Sequence, residues 1–170
     1  MALSAAPFVP KDGALVFADG AALTYTVVYE DGDFAWGPVP KGFKSVVDFF
    51  QRGRYYASRE TDDIVLEFSF SCHAIGVTGD GSTATIFDVI YKHAGSLWAS
   101  ATSMLPAAAG DAYHLKLTWT GERSNIGATT DSTIVMKYCQ LEISFAEGIP
   151  GKWSIKGKLK PYSTDYLTIT

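Results

Sequence analysis

Three histidines, two cysteines and three close pairs of carboxylates are the groups from which this chain could build a reactive site. His73 follows an alternating run that ends near Phe70, His93 closes a stretch with helical spacing, and His114 falls on the polar side of another alternating run. A zinc site on a helix needs ligands one turn apart, and no pair of these histidines has that spacing. Cys72 or Cys139 with a histidine would make a thiol–imidazole pair, but that chemistry needs hydrogen-bond proximity that nothing in the sequence supports. Asp31/Asp33, Asp62/Asp63 and Glu142/Glu147 are paired carboxylates. General acid–base work requires two of them in one cleft in different environments, and the first two pairs read as turn residues beside a glycine or a threonine cap. The run Thr78-Gly79-Asp80-Gly81-Ser82 resembles part of a calcium loop, yet it opens with Thr and lacks the later bidentate Glu. Gly79 and Gly81 ahead of a helix could offer N–H groups to an anion, but no phosphate-loop Lys or dinucleotide fingerprint accompanies them. The residues therefore predict no catalytic group, no cofactor and no metal ligand, and a chain that is not an enzyme.

The elements that would position any site are mainly strands. From Tyr138 to Lys160 the chain writes out a β-hairpin with two unlike faces. Cys139, Leu141, Ile143 and Phe145 alternate with Tyr138, Gln140, Glu142 and Ser144. After Glu147-Gly148-Ile149-Pro150-Gly151, Trp153, Ile155, Gly157 and Leu159 alternate with Ser154, Lys156, Lys158 and Lys160. A period of two predicts one face on a core and one in water, as outer surface or as the wall of a wet channel. Ile64 to Phe70 and Tyr113 to Trp119 alternate in the same way, and Leu23 to Tyr29 and Phe43 to Phe50 have strand composition.

One helix is predicted, from about Thr83 to His93, with Ile86, Val89, Ile90 and His93 on one side, Ser82 or Thr83 as cap and Gly95 as stop. A single short helix cannot form a bundle, so it must lie across a sheet. Loops are predicted at Trp36 to Gly42, at Ser100 to Gly110 and, as a long polar hairpin loop, at 121–132. Aromatic residues from Tyr25 to Tyr56 outnumber what one local strand pair buries, which makes some of them candidates for contacts between subunits.

At 170 residues the chain fits one domain, 1–170, with a core large enough to need no disulfide staples. The two cysteines form no framework and are expected to be reduced. The first residues lack a basic start and a continuous apolar run, so no secretory signal is expected, and no span has the length to cross a bilayer. With 18 acidic against 14 basic side chains the net charge is −4. That balance argues against tight wrapping of nucleic acid, while leaving open a protein that lets DNA pass.

The run Tyr29-Glu30-Asp31-Gly32-Asp33-Phe34, the Arg52-Gly53 turn, Arg59 with Asp62-Asp63 leading into Leu66-Glu67-Phe68-Ser69-Phe70, and Phe145-Ala146-Glu147-Gly148-Ile149-Pro150-Gly151 together resemble the major tail (tail tube) proteins of long-tailed bacteriophages. The resemblance spreads over roughly residues 23–160. It implies a β-sandwich or barrel-like protomer with one short flanking α-helix. Six copies would form a ring, and stacked rings a hollow virion tail tube assembled in the host cytoplasm. Partners implied are other copies of the chain, baseplate, tape measure and tail terminator proteins, and double-stranded DNA that passes without sequence-specific binding. Membrane insertion of the chain is not expected.

On this analogy four strands per subunit make a wall of 24, whose backbone diameter at a spacing of ~4.8 Å and a tilt near ~40° is about 48 Å. The wet faces then become lumen-facing candidates: Gln140, Glu142, Ser144, Lys156 and Lys158, with Glu67 and Ser69 on a neighbouring strand. A Glu142–Lys156 pair across the hairpin would soften the attraction of lysines for passing phosphates. The segment 36–58 is the candidate inter-ring loop or hairpin arm. Inter-subunit candidates are Asp31, Asp33, Trp36, Phe43, Arg52, Arg54, Tyr56, Asp62 and Asp63. A rival reading is a β-sandwich binding module, such as a carbohydrate-binding domain or a phage baseplate or fibre accessory protein, with Trp36, Trp98 or Tyr162 as a stacking platform.

Overall fold

The computed structural model of the protein describes residues 14–27, 33–39, 46–60, 65–105, 113–121, 131–148 and 150–170. Its strands are β1 (Ala14–Ala18), β2 (Thr24–Val27), β3 (Ala35–Val39), β4 (Val46–Gln51), β5 (Arg54–Glu60), β6 (Val65–His73), β7 (Leu115–Gly121), β8 (Ser132–Ala146), β9 (Lys152–Leu159) and β10 (Leu167–Ile169), with one helix, α1 (Ile86–Tyr91). The fold is mainly β. Eight strands form one antiparallel sheet in the order β2-β1-β7-β8-β9-β6-β3, with β10 also on β8, and β4 pairs with β5 in a separate two-stranded sheet.

Strict alternation makes β6, β7 and β9. Every second side chain of β9 is buried and every other one exposed, and β7 buries Leu115, Leu117 and Trp119. The fifteen-residue β8 is more complicated. Ile134 and Met136 are buried in its first half, Cys139 in its second, so the inward phase shifts from even to odd numbers. The shift is a β-bulge: Leu117 faces Met136 while Leu115 faces Cys139, and Tyr138 takes the left-handed conformation with φ 60°.

This long strand serves two halves of the sheet. Its first half pairs with β7, which carries β1 and β2, and its second half pairs with β9, which carries β6 and β3. The sheet folds over so that the halves meet, Phe17 of β1 lying 6.0 Å from Phe70 of β6, and Phe34 stacking on Trp119 at 6.2 Å. Between them lies one apolar cluster that also takes Ile86, Val89 and Ile90 from α1. Truncating a large member such as Phe70 or Ile155 to Ala costs about 2–5 kcal/mol.

The helix is shorter than the spacing predicts. Thr85 is the N-cap, its hydroxyl and the Asp88 carboxylate closing a capping box, and Lys92 ends the helix with φ 52°. The cap is thus Thr85 rather than Ser82 or Thr83, and the stop precedes Gly95. Trp98 sits in a 3₁₀ turn, Leu97–Ser100, and is fully buried, which removes it from any stacking platform. His114, expected on a polar face, is also buried. It stands just before β7, where its N–H donates to Ser103 Oγ and its carbonyl accepts from Met104 N–H.

The predicted loop at Trp36 to Gly42 is in part a strand. β3 pairs with β6 from Ala35 opposite Ser69 to Val39 opposite Val65. It tolerates Pro38 because it ends the sheet path, where one side has no ladder to supply among the described residues. β1 and β10 lie outside the predicted strands. The ends of the expected 121–132 loop are a strand pair, Gly121 facing Ser132, and 122–130 fall outside the described residues.

Candidate functional site

Registers across β8, β9, β6 and β3 place all seven lumen-facing candidates on one side of one section of sheet. Gln140 faces Lys158, which faces Glu67, which faces Gly37. Two residues on, Glu142 faces Lys156, which faces Ser69, which faces Ala35. The next row is Ser144, Ser154 and Ser71. Carboxylates and ammonium groups thus alternate across the strands. Lys158 Nζ lies 3.4 Å from Glu67 Oε1, and because both side chains are substantially exposed the pair is worth ~0–1 kcal/mol. Glu142 and Lys156, predicted as cross-strand partners, stand directly opposite each other. A shallow groove of about 680 Å³ runs over this face, lined among others by Trp36, Glu67, Gln140, Glu142, Lys156 and Lys158.

The other side of the same section is apolar, and Gly157 allows its closest contact. Phe68 lies directly across from Gly157, and its ring covers the glycine so tightly that a Cβ there would stand 2.7 Å from one ring carbon and closer to two others. Leu141 and Ile143 on β8, expected in the core, are only half-buried, and Phe145 is 53% exposed. The reason is topological. Beyond Cys139, β8 has β9 on one side and no strand among the described residues on the other. β3 likewise pairs only with β6. The four-strand section therefore has two outer edges with no strand partner among the described residues.

The hairpin β4–β5 is the second unusual surface. Its turn, Arg52-Gly53, has φ of 51° and 77°, the positive pair that matches strand twist in a two-residue hairpin. Opposite Phe49 and Phe50 lie Ala57 and Tyr55, with Tyr56 as the extra residue of a bulge. Phe49, Phe50, Tyr55 and Tyr56 are 49–74% exposed. A lone two-stranded hairpin is marginal in water. The candidate arm 36–58 thus resolves into a sheet strand, β3, and a hairpin that pairs with no strand of the large sheet. Arg52, Arg54 and Tyr56 sit at or beside its tip.

Other candidates are placed differently. Asp33 is engaged within its own chain, accepting from the Ser71 N–H at 2.9 Å and from the Ser71 hydroxyl, so it extends the β3–β6 contact. Trp36 lies on β3 and is 40% exposed. Asp31, Phe43, Asp62 and Asp63 lie outside the described residues. The Asp80 carboxylate accepts from the N–H groups of Ser82 and Thr83 and from the Thr83 hydroxyl. These bonds hold its pKa below the usual range and make the segment a turn into the helix. Gly79 N–H, a conceivable anion donor, is spent on Asp88 at 2.7 Å.

Among the described residues no group of three His, Cys, Asp or Glu side chains could hold a metal ion. Cys72 and Cys139 are free and buried. Burial, and then the Asp33 charge, pushes the Cys72 thiol up to about 11, and burial raises Cys139 further still. Residues 74–77 escaped the sequence reading although a signal was present: Ile75 and Val77 are apolar side chains on either side of Gly76 with no strand pattern to bury them, and they are 74% and 60% exposed. The chain matches no family model, no curated protein and no solved structure.

Proposed function

We propose that this chain is the repeating subunit of a hollow tube of the phage tail type, six copies closing into a ring and rings stacking into a conduit for the genome. The observation that carries the reading is the four-strand section β3-β6-β9-β8, polar on one face and apolar on the other, with both outer edges open among the described residues. A ring supplies each open β8 edge with the next copy's β3 and leaves no edge to aggregate. It also covers the half-exposed Leu141, Ile143 and Phe145 at that edge. The polar face then lines the lumen. Its alternating Glu67, Lys158, Glu142 and Lys156 let phosphates pass without a continuous basic track, because each lysine has a carboxylate as a strand neighbour. The protomer is on this reading a sandwich-like fold with α1 across one side.

Native mass measurement of the purified chain tests it. A species at six times the 18.4 kDa protomer, or polymers built from that unit, is expected. A monomer at every concentration and salt condition contradicts it.

A glycan-binding reading has one observation in its favour, the groove lined by carboxylate, amide and ammonium groups, with the 40% exposed Trp36 on the edge strand β3 that borders it. Saturable binding of an oligosaccharide that is lost in Trp36→Ala would support it.

A further inference from the structure

Asp88, the third residue of α1, is a wholly buried carboxylate of which only one oxygen is satisfied. Its Oδ2 accepts from the Gly79 N–H at 2.7 Å and from the Thr85 N–H at 2.8 Å, tying the segment before the helix to the helix cap. The Thr85 hydroxyl, with one proton to give, lies between this oxygen at 2.8 Å and the Val77 carbonyl at 3.0 Å. Oδ1 is equally buried and has no hydrogen bond. Facing it at 3.4 Å is Nδ1 of His93, itself buried and unbonded although 41% of the His93 side chain is exposed. An interior carboxylate oxygen left without a donor is costly.

We propose that Asp88 and His93 form an acid-tightened clasp that sets how firmly residues 77–85 are held to α1. A neutral imidazole carries one proton and can keep it on either nitrogen, whereas the imidazolium has one on each. Protonation therefore places a donor on Nδ1, opposite the one oxygen of Asp88 that lacks a partner, and adds a charge that strengthens the bond. An imidazole gains that charge between about pH 5 and 8. The elements packed against α1, which are β2, β8 and the turn Leu97–Ser100, carry no histidine of their own. On β2 the Tyr25 phenol is raised by burial, then by Cys72 and by the Asp88 charge. Beside it on β6, burial and the Asp33 charge push the Cys72 thiol up to about 11, and burial raises the Cys139 thiol of β8. The charged side chains of β8 are engaged elsewhere, Lys137 with Asp165 and Glu142 on the polar face opposite Lys156. Lys92, next to His93, lies over the Tyr113 ring at 5.2 Å, and Asp80 is kept anionic by its own donors. The gain is present in acid and is lost as the pH rises through the imidazole range. It bears on the segment that carries the exposed Ile75 and Val77, which the bonds at Gly79 and Thr85 anchor. The clasp lies within one copy and does not depend on ring formation.

Amide hydrogen exchange of the full chain at pH ~5.5 and ~7.5, corrected for intrinsic rates, tests the clasp. The Gly79 and Thr85 amides both donate to Asp88, and their protection should be about threefold or more higher at the lower pH. Core amides of β6 and β9 serve as the reference for global opening, and their protection should not follow the same pattern. His93→Gln removes the titrating ring at a partly exposed position and should abolish the local difference. Equal protection of Gly79 and Thr85 at the two pH values overturns the proposal. So does a gain shared equally by the β6 and β9 amides, or one that persists in His93→Gln.

Discussion

Gly157→Ala adds one methyl group to the middle of β9, and the structure specifies what that methyl meets. The new Cβ would lie 2.7 Å from Phe68 Cε2, 2.5 Å from Cε1 and closer still to Cζ, whereas ordinary carbon contacts are ~3.5–4.0 Å. Phe68 cannot swing away freely. It is 2% exposed, faces Gly157 directly across the strands and packs against Phe34 at 6.1 Å. Overpacking of this kind costs about 1–3 kcal/mol. The loss of backbone freedom in the unfolded chain offsets about 0.4–1 kcal/mol of it. The net is a destabilisation of roughly 1–2 kcal/mol, or a fall in Tm of about 2–8 °C for a chain of this size. Thermal and urea unfolding measure it, with Gly37→Ala as comparator, since a Cβ at Gly37 meets nothing within 4 Å. Phe68→Leu should cost less in the Gly157→Ala background than alone, because the added methyl fills part of the space the ring leaves. Gly157→Ala as stable as wild type, or additive with Phe68→Leu, would refute the ring-over-glycine contact and the β6–β9 register on which the polar rows depend.

Three further outcomes follow from the same geometry. Burial raises the folded pKa of Cys72 from 9.0 to about 11, so its contribution to stability is complete below pH ~9 and is lost as pH rises toward 11. Urea midpoints should therefore fall across that window and fall less in Cys72→Ala; equal alkaline slopes would contradict the burial. Tyr138 holds φ 60° at the β8 bulge and meets Tyr162 edge-on at 5.5 Å. Tyr138→Gly should change stability by less than ~1 kcal/mol, the relief of a left-handed residue offsetting the lost ring contact, whereas Tyr138→Val should be clearly less stable than Tyr138→Gly in the same melt. Charge reversal of Arg52 and Arg54 to Glu should shorten or abolish stacked assemblies while leaving the protomer melt within ~0.5 kcal/mol of wild type. Stacks of normal yield and length would remove the arm from the contact between rings.

What could be read from the sequence was the part in which side-chain period and burial coincide. β6, β7 and β9 alternate without interruption, so Leu66, Phe68 and Phe70 could be set against Glu67 and Ser69, and Ile155 against Lys156 and Lys158, with no structure in hand. The first half of β8 was not legible, because a bulge resets the phase at Tyr138 and separates Ile134 and Met136 from the run that begins at Cys139. β3 was hidden by Gly37 and Pro38, residues that suggest a loop unless the strand is known to end the sheet path. The helix starts three residues later than its spacing suggests, because Ser82, Thr83 and Thr85 are all capping types. Only the hydrogen bonds of Asp88 show that Thr85 is the one that caps. His114 is buried although the alternation of Tyr113 to Trp119 sets it on the polar side, because β7 begins only at Leu115, and Trp98 is buried from a 3₁₀ turn that has no periodic signal. The seven residues of the polar face were legible as one face of strands; what that face adjoins has no periodic signature in a single chain.

Electron microscopy of the purified protein viewed down the assembly axis tests the central claim most directly. The account predicts closed rings of six subunits with an open lumen, the β3 of each copy beside the β8 edge of the next, and Glu142 and Lys156 on the inner surface. Dispersed particles of protomer size, or rings in which Glu142 and Lys156 face outward, would contradict it.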